Sequence, residues 1–350
     1  MANDPSTRPP RPGVLLVNLG TPQAPTAGAV RPYLRQFLSD ARVLDVAAPL
    51  RAFLGGFLIP TVRSAKSAEA YRTIWTEAGS PLLVHSLELR DGLRAHLGDD
   101  TRVELGMRYG EPSIESALAD LEGCDPIAVV PLYPQYASSS TGTALQEVYR
   151  IAGARWNTPS LSVVPPFFDA PAFLDAAAGV ARGVLDEGAF DHVLFSYHGL
   201  PERHVKKSDP TGAHCLSDGS CCDAIVDANA MCYRAQCFAT TRGLVERLGL
   251  DEGGYSTSFQ SRLGRDPWIR PFTDEVVDEL ARAGTKHLAV VCPSFTADCL
   301  ETLEEIGLAA AQSFVENGGE ALELVPCVNA DPRWVAGLAQ LVRDATSRVR

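Results

Sequence analysis

The sequence predicts an α/β protein made of two similar halves, each with its own doubly wound parallel sheet. Short apolar runs alternate along the chain with amphipathic stretches, for example GVLLVNLG with AGAVRPYLRQFLSD and KHLAVVCPSF with DCLETLEEIGLAAAQSFVENG. The apolar runs are continuous, which indicates strands covered on both faces, and the intervening helices make the sheets parallel. A proline-rich stretch at 157–173 is the best candidate for the crossing between the halves.

The domain boundaries follow from the order of these segments. We expect a disordered polar tail at 1–12, a first half at 13–165 that carries an apolar segment, and a second half at 166–330 that contains a cysteine-rich insert at 214–237. The remaining residues, 331–350, are expected to form a C-terminal helix that packs back on the first half. The sequence shows no low-complexity segment and no repeat of fixed period.

Composition and charge narrow the classes of function. The 350 residues are 45% hydrophobic and 21% charged, which is ordinary for a globular protein. With 31 Lys and Arg against 43 Asp and Glu, the formal charge is -12, so nucleic acid is not an expected partner. The sequence shows no signal-peptide pattern and no apolar run near the roughly 18 residues of a membrane-spanning helix. We therefore expect a cytoplasmic protein, and in a reducing compartment a cysteine cluster indicates a metal site before disulfides.

The longest apolar run, AFLGGFLIPTV at 52–62, is bracketed by Arg51 and Arg63, with Lys66 just beyond. An apolar patch with a basic fringe can rest on an anionic membrane surface or form the lip of an apolar cleft. The alternative is a buried helix and turn, and periodicity does not separate the two. A membrane contact would make the protein peripheral on the inner face of the cell membrane.

Ligands of such folds bind beyond the carboxyl ends of the strands, so the residues that follow each strand are candidates for the site. NLGTPQAPT, after the first strand, does not match the glycine pattern of a dinucleotide site. YASSSTGTAL is a hydroxyl-rich loop whose hydroxyl and N–H groups either hold an anion or cap the following helix. His198 ends a strand and leads a turn, which indicates a proton acceptor or metal ligand facing the crevice. A hydrogen bond within its own turn is the alternative.

A row of acids follows the last apolar strand. At 100° per residue, a helix through this segment places Asp298, Glu301 and Glu305 within about 60° of one another. The opposite side of the helix is apolar and carries Cys299, Leu300, Leu303 and Ile306. Such a pattern is also typical of a solvated helix surface, but this helix begins where a ligand should lie.

Seven stretches resemble ferrochelatases, in the family's order from about residue 13 to 335. They are LLVNLGTP, YRTIWTEAGSPL, MRYGEPSI, LYPQYASSSTG, FSYHGLPERHV, SFQSRLGRDPWIRPFTDE and CPSFTADCLETLEEI. The resemblance implies two Rossmann-like halves with a deep cleft between them. It also implies insertion of ferrous iron into a porphyrin, with protoporphyrin IX expected, and the release of two protons to form haem in the last stage of haem synthesis.

The resemblance also implies roles for particular residues. His198 resembles the family's active-site histidine and Glu301 its catalytic glutamate, so these two are the expected catalytic residues and contacts of the substrate iron. Asp298 and Glu305 match the family's acidic column, a path for iron or protons. Four more residues fall in motifs that line its porphyrin pocket: Arg108, Tyr133, Ser139 and Trp268. The run from 50 to 75 resembles its apolar lip.

Position 299 departs from many members of the family. They have histidine directly before the Leu300–Glu301 pair, where this chain has Cys299. Because Cys299 lies on the apolar side of the predicted helix, we interpret it as a packing residue.

Five of the nine cysteines lie within the insert, at positions 215, 221, 222, 232 and 237. Their spacing matches neither the paired C-x2-C of common zinc sites nor the plant-ferredoxin pattern. Soft thiolates select zinc or an iron–sulfur cluster, and some ferrochelatases carry a [2Fe-2S] cluster on internal cysteines. We expect a structural [2Fe-2S] cluster, with zinc as the runner-up. The expected ligands are Cys215, Cys222, Cys232 and Cys237, with Cys221 as the alternative to Cys222.

Two other functions stay open at this point. One is a chelatase for another metal or tetrapyrrole, and the other is a non-catalytic tetrapyrrole-binding protein of two domains. Turnover of porphyrin and iron separates catalysis from binding, and the choice between protoporphyrin and coproporphyrin defines the substrate. The sequence does not distinguish a monomer from a homodimer.

Overall fold

The computed structural model describes residues 11–262, 264 and 266–347. Its strands are β1 (Arg11–Gly20), β2 (Arg102–Tyr109), β3 (Cys124–Pro131), β4 (Leu161–Val163), β5 (His192–His198), β6 (Tyr255–Gln260), β7 (His287–Val291) and β8 (Ala321–Leu324). They form two four-stranded parallel sheets with the orders β2-β1-β3-β4 and β6-β5-β7-β8. Each sheet thus starts from an inner strand and extends to both sides, which confirms the predicted α/β class with two doubly wound halves.

Helices cover both faces of each sheet. The α-helices of the described residues are α1 (Ala27–Leu38), α2 (Ala48–Phe53), α3 (Ile59–Ile74), α4 (Pro81–Leu97), α5 (Ile114–Asp120), α6 (Thr143–Gly153), α7 (Pro171–Leu185), α8 (Glu202–Lys207), α9 (Tyr233–Leu248), α10 (Thr273–Ala283), α11 (Leu300–Leu303), α12 (Ala311–Glu316) and α13 (Pro332–Ser347). Wider π-helical turns occur at Leu54–Leu58, Ser138–Gly142 and Glu305–Ala310. None of the described helices is long and apolar enough to cross a membrane.

The inner strands carry the continuous apolar runs. In β1, Leu15 pairs with Glu104 on one side and with Val129 on the other. In β5, Phe195 pairs with Thr257 and with Val291. Because these strands have neighbours on both edges and helices on both faces, they have no exposed surface for polar side chains.

One hydrophobic core joins the two halves. It contains Leu16 and Val130 of the first sheet together with Phe195 and Val291 of the second. Trp334 of α13 lies in the same core and is fully buried. The helix α13 packs against α4 and β3 of the first half and against α7 of the second, so it ties the halves together.

The boundaries differ slightly from those predicted. The first strand begins at Arg11, so residues 11 and 12 are part of a sheet and not of a tail. Residues 1–10 and 348–350, which belong to the predicted tail and C-terminal helix, lie outside the described residues. The chain crosses between halves after β4 and before α7, within the predicted proline-rich stretch.

Candidate active site

His198 is the last residue of β5 and lies at the carboxyl end of the second sheet. Its Nδ1 lies 2.6 Å from the carbonyl oxygen of Gly199. Because a carbonyl only accepts, Nδ1 must carry the proton, and Nε2 of the neutral ring is left as an acceptor. The hydrogen bond within the turn, which the sequence offered as an alternative to function, instead fixes the tautomer that a proton acceptor needs.

Trp268 packs against the turn that follows His198. A bridge joins Trp268 to Pro201, and a Cβ atom at Gly199 would lie 3.2 Å from Cε3 of Trp268 and 2.8 Å from the carbonyl oxygen of Gln260. Position 199 therefore admits only glycine without a shift of its neighbours, and Trp268 helps to hold the histidine turn.

Glu301 lies in the first turn of α11, where the first half meets the second. Burial raises the pKa of the Tyr71 hydroxyl, and the nearby Glu301 carboxylate raises it further. The Glu301 charge also raises the pKa of Tyr33, after burial and Tyr71. Two tyrosines of the first half thus face the carboxylate of the second half across the cleft.

Glu305 follows Glu301 by four residues and is the first residue of the π-helical turn Glu305–Ala310. Burial, followed by the Glu301 carboxylate, raises the pKa of Glu305 to about 7. The hydroxyl of Ser261 donates a hydrogen bond to its Oε2. Close to neutral pH the Glu305 carboxyl is therefore present in both its neutral and its ionised form, which suits proton transfer.

Glu301 and Glu305 together are called the acid pair. Gln260 and Ser261, at the end of β6, connect His198 to this pair. Gln260 pairs with His198 across the sheet, accepts a hydrogen bond from Ser196 at 2.7 Å, and donates one to the carbonyl oxygen of Glu301 at 2.6 Å. Ser261 has a φ of 67°, in the left-handed region, which a non-glycine residue adopts at a cost in free energy. This conformation turns its hydroxyl onto Glu305.

The structure corrects the predicted position of Asp298. The helix begins at Leu300 with Cys299 as its N-cap, so Asp298 precedes the helix and does not extend the acidic row. Its carboxylate accepts hydrogen bonds from Nδ2 of Asn329 at 2.7 Å, from the hydroxyl of Thr302 at 3.2 Å and from the backbone N–H of Cys327 at 3.2 Å. Asp298 is buried and holds the turn that presents Glu301.

Cys299 is buried, as a packing residue would be, but it also contacts the acid pair. Its thiol is hydrogen-bonded to the Glu301 side chain, and burial, followed by the Glu301 charge, raises the pKa of that thiol. A neutral thiol at this place supports the carboxylate as a weak donor.

The other predicted wall residues lie in the first half. Arg108 makes an ion pair with Asp40 at 2.7 Å and donates to the hydroxyl of Thr143 at 2.8 Å. The hydroxyl of Tyr133 is buried without a hydrogen-bond partner, and burial raises its pKa. Ser139 lies in the π-helical turn Ser138–Gly142. Arg108 is thus fully engaged within the first half, whereas the Tyr133 hydroxyl is left without a partner in the described chain.

The apolar segment near residue 55 is exposed, so its interpretation as a buried helix and turn is wrong. Phe53 is 54% exposed, Phe57 60% and Val62 69%. Gly55, in the middle of the segment, is buried, and a Cβ there would lie 2.1 Å from the carbonyl oxygen of Leu38. The glycine lets the segment lie close to α1 while its large side chains face solvent.

The cysteine-rich insert brings its five thiols together in a buried region. All five are free and buried. The sulfur atoms of Cys221 and Cys222 are 3.8 Å apart, and Cys232 is hydrogen-bonded to both Cys215 and Cys222. Among the residues that the structure describes, however, no group of three or more His, Cys, Asp or Glu side chains is arranged to hold a metal ion. The donors suit a soft metal, but the thiols are not positioned around one.

Sequence reasoning missed four residues of this site: Tyr33, Tyr71, Gln260 and Ser261. A signal existed for the last two, because they follow a strand of the second sheet at its carboxyl end. Tyr33 and Tyr71 lie on helices of the first half, and only the tertiary structure places them beside Glu301.

Comparison with known proteins identifies the family. The family model described as ferrochelatase matches residues 11–346. The ferrochelatase of Azotobacter vinelandii is 50% identical over 333 residues, which cover 94% of this chain and 98% of that protein. The chain belongs to the ferrochelatase family. It is therefore a porphyrin metal chelatase, a lyase.

Another ferrochelatase supports this placement, and two solved chelatase structures show the same fold. The ferrochelatase of Legionella pneumophila (strain Lens) is 45% identical over 334 residues, which cover 95% of this chain and 99% of that protein. SirB from Bacillus subtilis with Fe3+ superposes with a TM-score of 0.51 at 15% identity, over 97% of both chains. The cobalt complex of the sirohydrochlorin chelatase SirB from Bacillus subtilis subspecies spizizenii gives a TM-score of 0.54 at 13% identity, over 97% of this chain and 96% of that one. At these identities the two structures show the shared fold alone.

Proposed function

We propose that this ferrochelatase inserts ferrous iron into a porphyrin through His198 on one side and the Glu301–Glu305 pair on the other. The observation that carries the assignment is the hydrogen bond from Nδ1 of His198 to Gly199, which leaves Nε2 as an acceptor for a pyrrole proton. Two protons must leave the ring for each iron that enters. The reaction changes no oxidation state, so the residues need only move protons and bind the ion briefly.

The acid pair, Glu301 and Glu305, suits brief binding of the ion. Carboxylate oxygens are hard ligands that bind a divalent ion such as ferrous iron without selecting it as tightly as thiolates would. Since the pKa of Glu305 is about 7, this carboxyl can also accept a proton that leaves the ring. In this scheme Asp298 is a positioning residue, because its carboxylate is engaged by Asn329 and Thr302.

The porphyrin would lie in the cleft between the halves, against the Tyr133 hydroxyl and near Trp268. Contact with apolar and aromatic walls favours a bent macrocycle, whose nitrogens point at the ion, over the flat substrate. Arg108 acts through Asp40 and Thr143, which form the base of this wall. Ser139, in the adjoining π-helical turn, offers a hydroxyl to the same wall.

An anaerobic assay of purified protein tests the proposal. Protoporphyrin and coproporphyrin are supplied separately with ferrous iron, and we expect many turnovers per chain, with protoporphyrin the better substrate. Stoichiometric binding without turnover would support a tetrapyrrole-binding protein. Turnover of neither porphyrin, with metallation of another tetrapyrrole, would support a chelatase of different specificity.

We also propose that the exposed apolar segment rests on the inner face of the cell membrane. Phe53, Phe57 and Val62 are exposed, and Arg51 and Arg63 flank the run in sequence. Apolar side chains with a basic fringe bind anionic lipid surfaces without spanning them. A hydrophobic porphyrin could then enter the cleft directly from the lipid. Nine unpaired cysteines fit the cytoplasmic side, where thiols stay reduced.

The cysteine-rich insert is proposed to bind a [2Fe-2S] cluster, with zinc as the runner-up. Cys222 is the central thiol, since it contacts Cys221 and Cys232 and its charge acts on Cys237. This supports Cys215, Cys222, Cys232 and Cys237 as ligands and leaves Cys221 as the spare. The thiols would have to move together around the metal. Such a cluster would stabilise the insert and take no part in metallation.

A further inference from the structure

The backbone of His198 lies beyond the end of the neighbouring strand β7. The pairing of β5 with β7 runs as far as Phe195 and Val291, three residues before His198. The N–H of Gly199 bonds the carbonyl oxygen of Gln260 on the β6 side, at 2.7 Å. Because successive N–H groups of a strand point to opposite edges, the N–H of His198 points to the side where β7 has ended. Its hydrogen-bond partner must therefore come from outside the sheet.

Ser294 is this partner. It lies in the turn after β7, where the N–H of Phe295 bonds the carbonyl oxygen of Cys292 at 3.2 Å. The N–H of His198 donates to Oγ of Ser294 at 3.1 Å. The ring of Phe295 packs edge-on against the imidazole, with the ring centroids 6.4 Å apart. One turn thus contacts both the backbone and the ring of the proposed proton acceptor.

Ser294 is in turn connected to the cysteine-rich insert. The hydroxyl of Tyr233, the first residue of α9, is hydrogen-bonded to Ser294 and to the thiol of Cys237. Since the N–H of His198 only donates, Ser294 accepts with its oxygen and keeps its own hydrogen for Tyr233. The hydroxyl hydrogen of Tyr233 is then left for the sulfur of Cys237. Both of these side chains are buried, so the chain of hydrogen bonds from the insert to His198 is shielded from solvent.

The helix α9 makes a second contact with the same strand end. The hydroxyl oxygens of Tyr197 and Thr241 are 2.9 Å apart, and both side chains are buried. The insert runs directly into α9, so it ends on the helix that makes these contacts. Two consecutive residues of β5 are therefore fastened to this helix, Tyr197 directly and His198 through Ser294.

We propose that Tyr233 and Ser294 are positioning residues for His198, which couple the ordered structure of the cysteine-rich insert to the place of that histidine. The inference rests on the proposed function, in which His198 accepts a proton. The backbone of His198 determines how its ring meets the carbonyl oxygen of Gly199, the contact that fixes the tautomer. Loss of either hydroxyl lets the strand end shift, and a shifted proton acceptor reacts more slowly while the porphyrin still binds.

Single-turnover kinetics test the proposal with variants that lack one hydroxyl group. The protein is in excess over porphyrin and ferrous iron is added without oxygen, so that product release does not limit the rate. We expect Ser294→Ala to slow the turnover about tenfold and Tyr233→Phe about threefold. The Kd for porphyrin, measured by fluorescence without iron, should change less than about twofold. Ser294→Thr keeps a hydroxyl and should restore most of the rate.

Nitrogen NMR of protein labelled in its imidazole rings reports on the histidine itself. The signal of His198 is identified by its loss in His198→Ala, and its couplings show which ring nitrogen carries the proton. We expect the Nδ1–H form in the wild type and a mixture of the two tautomers in Ser294→Ala and Tyr233→Phe. A residue that only stabilised the fold would leave this signal unchanged.

Ser256→Ala is the matched control for the exchange of serine. Ser256 is half-buried, and its hydroxyl lies 2.8 Å from Nε2 of His192, at the opposite end of β5. Tyr149→Phe, a change on the exposed side of α6, is the control for the exchange of tyrosine. Both controls should keep the wild-type rate and the wild-type signal of His198. The metal content and the melting temperature of every variant show whether the insert and the fold are intact.

Wild-type rates and an unchanged His198 signal in both Ser294→Ala and Tyr233→Phe would overturn the proposal. A slower rate with an unchanged signal would also overturn it, because the two hydroxyls would then act elsewhere than on the histidine. Should Tyr233→Phe fail to fold, Ser294→Ala and its rescue by Ser294→Thr decide the outcome. Failure of the proposed function is distinguishable, since it would appear in the wild type, as absent turnover or as a proton on Nε2 of His198.

Discussion

Different neighbours prepare His198 and Glu305 for proton transfer. A hydrogen bond to a backbone carbonyl fixes the tautomer of His198, whereas burial and a neighbouring carboxylate raise the pKa of Glu305. Neither effect involves direct contact between the two side chains. Gln260 connects the two elements, since it pairs with His198 across the sheet and donates a hydrogen bond to the carbonyl oxygen of Glu301.

Replacement of His198 tests its role as proton acceptor. We expect His198→Ala to retain less than about a tenth of wild-type turnover, because it removes the ring nitrogen that the tautomer leaves free to accept a proton. We expect Glu301→Gln to lower turnover severely as well, and Glu305→Gln to lower turnover less. His96→Ala, which removes an exposed histidine from the end of α4, is the control. High activity in His198→Ala, measured on protein with an unchanged melting temperature, would contradict the assignment.

The raised pKa of Glu305 predicts a dependence of stability on pH. Its value changes from about 4.5 in an unfolded chain to about 7 in the fold, so the folded state favours the neutral carboxyl. Below pH 4.5 the group is neutral in both states. As the pH rises from 4.5 through 7, the unfolded state ionises first and the wild type loses stability, by up to about 3 kcal/mol.

Glu305→Gln removes this titration. Its free energy of unfolding relative to the wild type should therefore increase between pH 5 and pH 8, as measured by urea denaturation at both values. Glu279→Gln, a change at an exposed carboxylate of α10, should show no such increase. Parallel pH curves for the wild type and Glu305→Gln would show that the fold does not raise the pKa of Glu305.

Individual elements show where sequence periodicity fails. The helical arithmetic correctly placed Glu301 and Glu305 near each other, but it assumed a helix through Asp298, whereas the turn held by Asn329 delays the helix to Leu300. The three π-helical turns were not predicted either, since their apolar pattern does not differ from that of an α-helix. All three lie at proposed functional places: the apolar segment, the hydroxyl-rich loop and the acid pair.

The exposed apolar segment predicts that the protein binds anionic membranes through these side chains. The triple exchange of Phe53, Phe57 and Val62 to serine should abolish flotation with anionic liposomes, because it removes three large exposed apolar side chains from the segment. Turnover with detergent-solubilised porphyrin should change little. Trp156→Ser is the control, since Trp156 is fully exposed but lies at the end of α6, away from the segment. Flotation of the triple variant would contradict a role for the segment in membrane contact.

The insert predicts a different result for each of two adjacent cysteines. Protein purified without oxygen should be red-brown, with about two iron and two sulfide per chain. Cys222→Ser should lose the colour and lower the melting temperature, because Cys222 contacts both Cys221 and Cys232. Cys221→Ser should lose neither, and Cys124→Ser, a change at a buried cysteine of β3, controls for thiol loss. Colourless protein with one zinc per chain would refute the cluster.

At the scale of the whole molecule, the sequence revealed the sheets better than it revealed the site. Continuous apolar runs at regular intervals specify parallel strands, and both sheets follow the same order. The candidate site, in contrast, combines side chains that are far apart in sequence. Tyr71 reaches Glu301 only because α3 packs against α11 across the cleft, and periodicity within either segment carries no information about that contact.

The final prediction concerns the shared core. Trp334 is fully buried, and its ring centroid lies 5.3 Å from that of Phe167 and 5.7 Å from that of Phe173. Since α13 packs against helices of both halves, a cavity at Trp334 should destabilise the two halves together. We expect Trp334→Ala to lower the free energy of unfolding by about 3 kcal/mol. This is the low end of the range for such a change, because the Nε1–H group of Trp334 is buried without a partner and its loss is favourable.

Urea denaturation followed by circular dichroism and by tryptophan fluorescence measures this effect. Both signals should shift to lower urea concentration and should still coincide, since one core joins the halves. Trp156→Ala removes a fully exposed tryptophan and should leave the midpoint unchanged. If the two signals separated in Trp334→Ala, one half would unfold before the other. In that case α13 would stabilise the halves as independent units, and the shared core would not couple them.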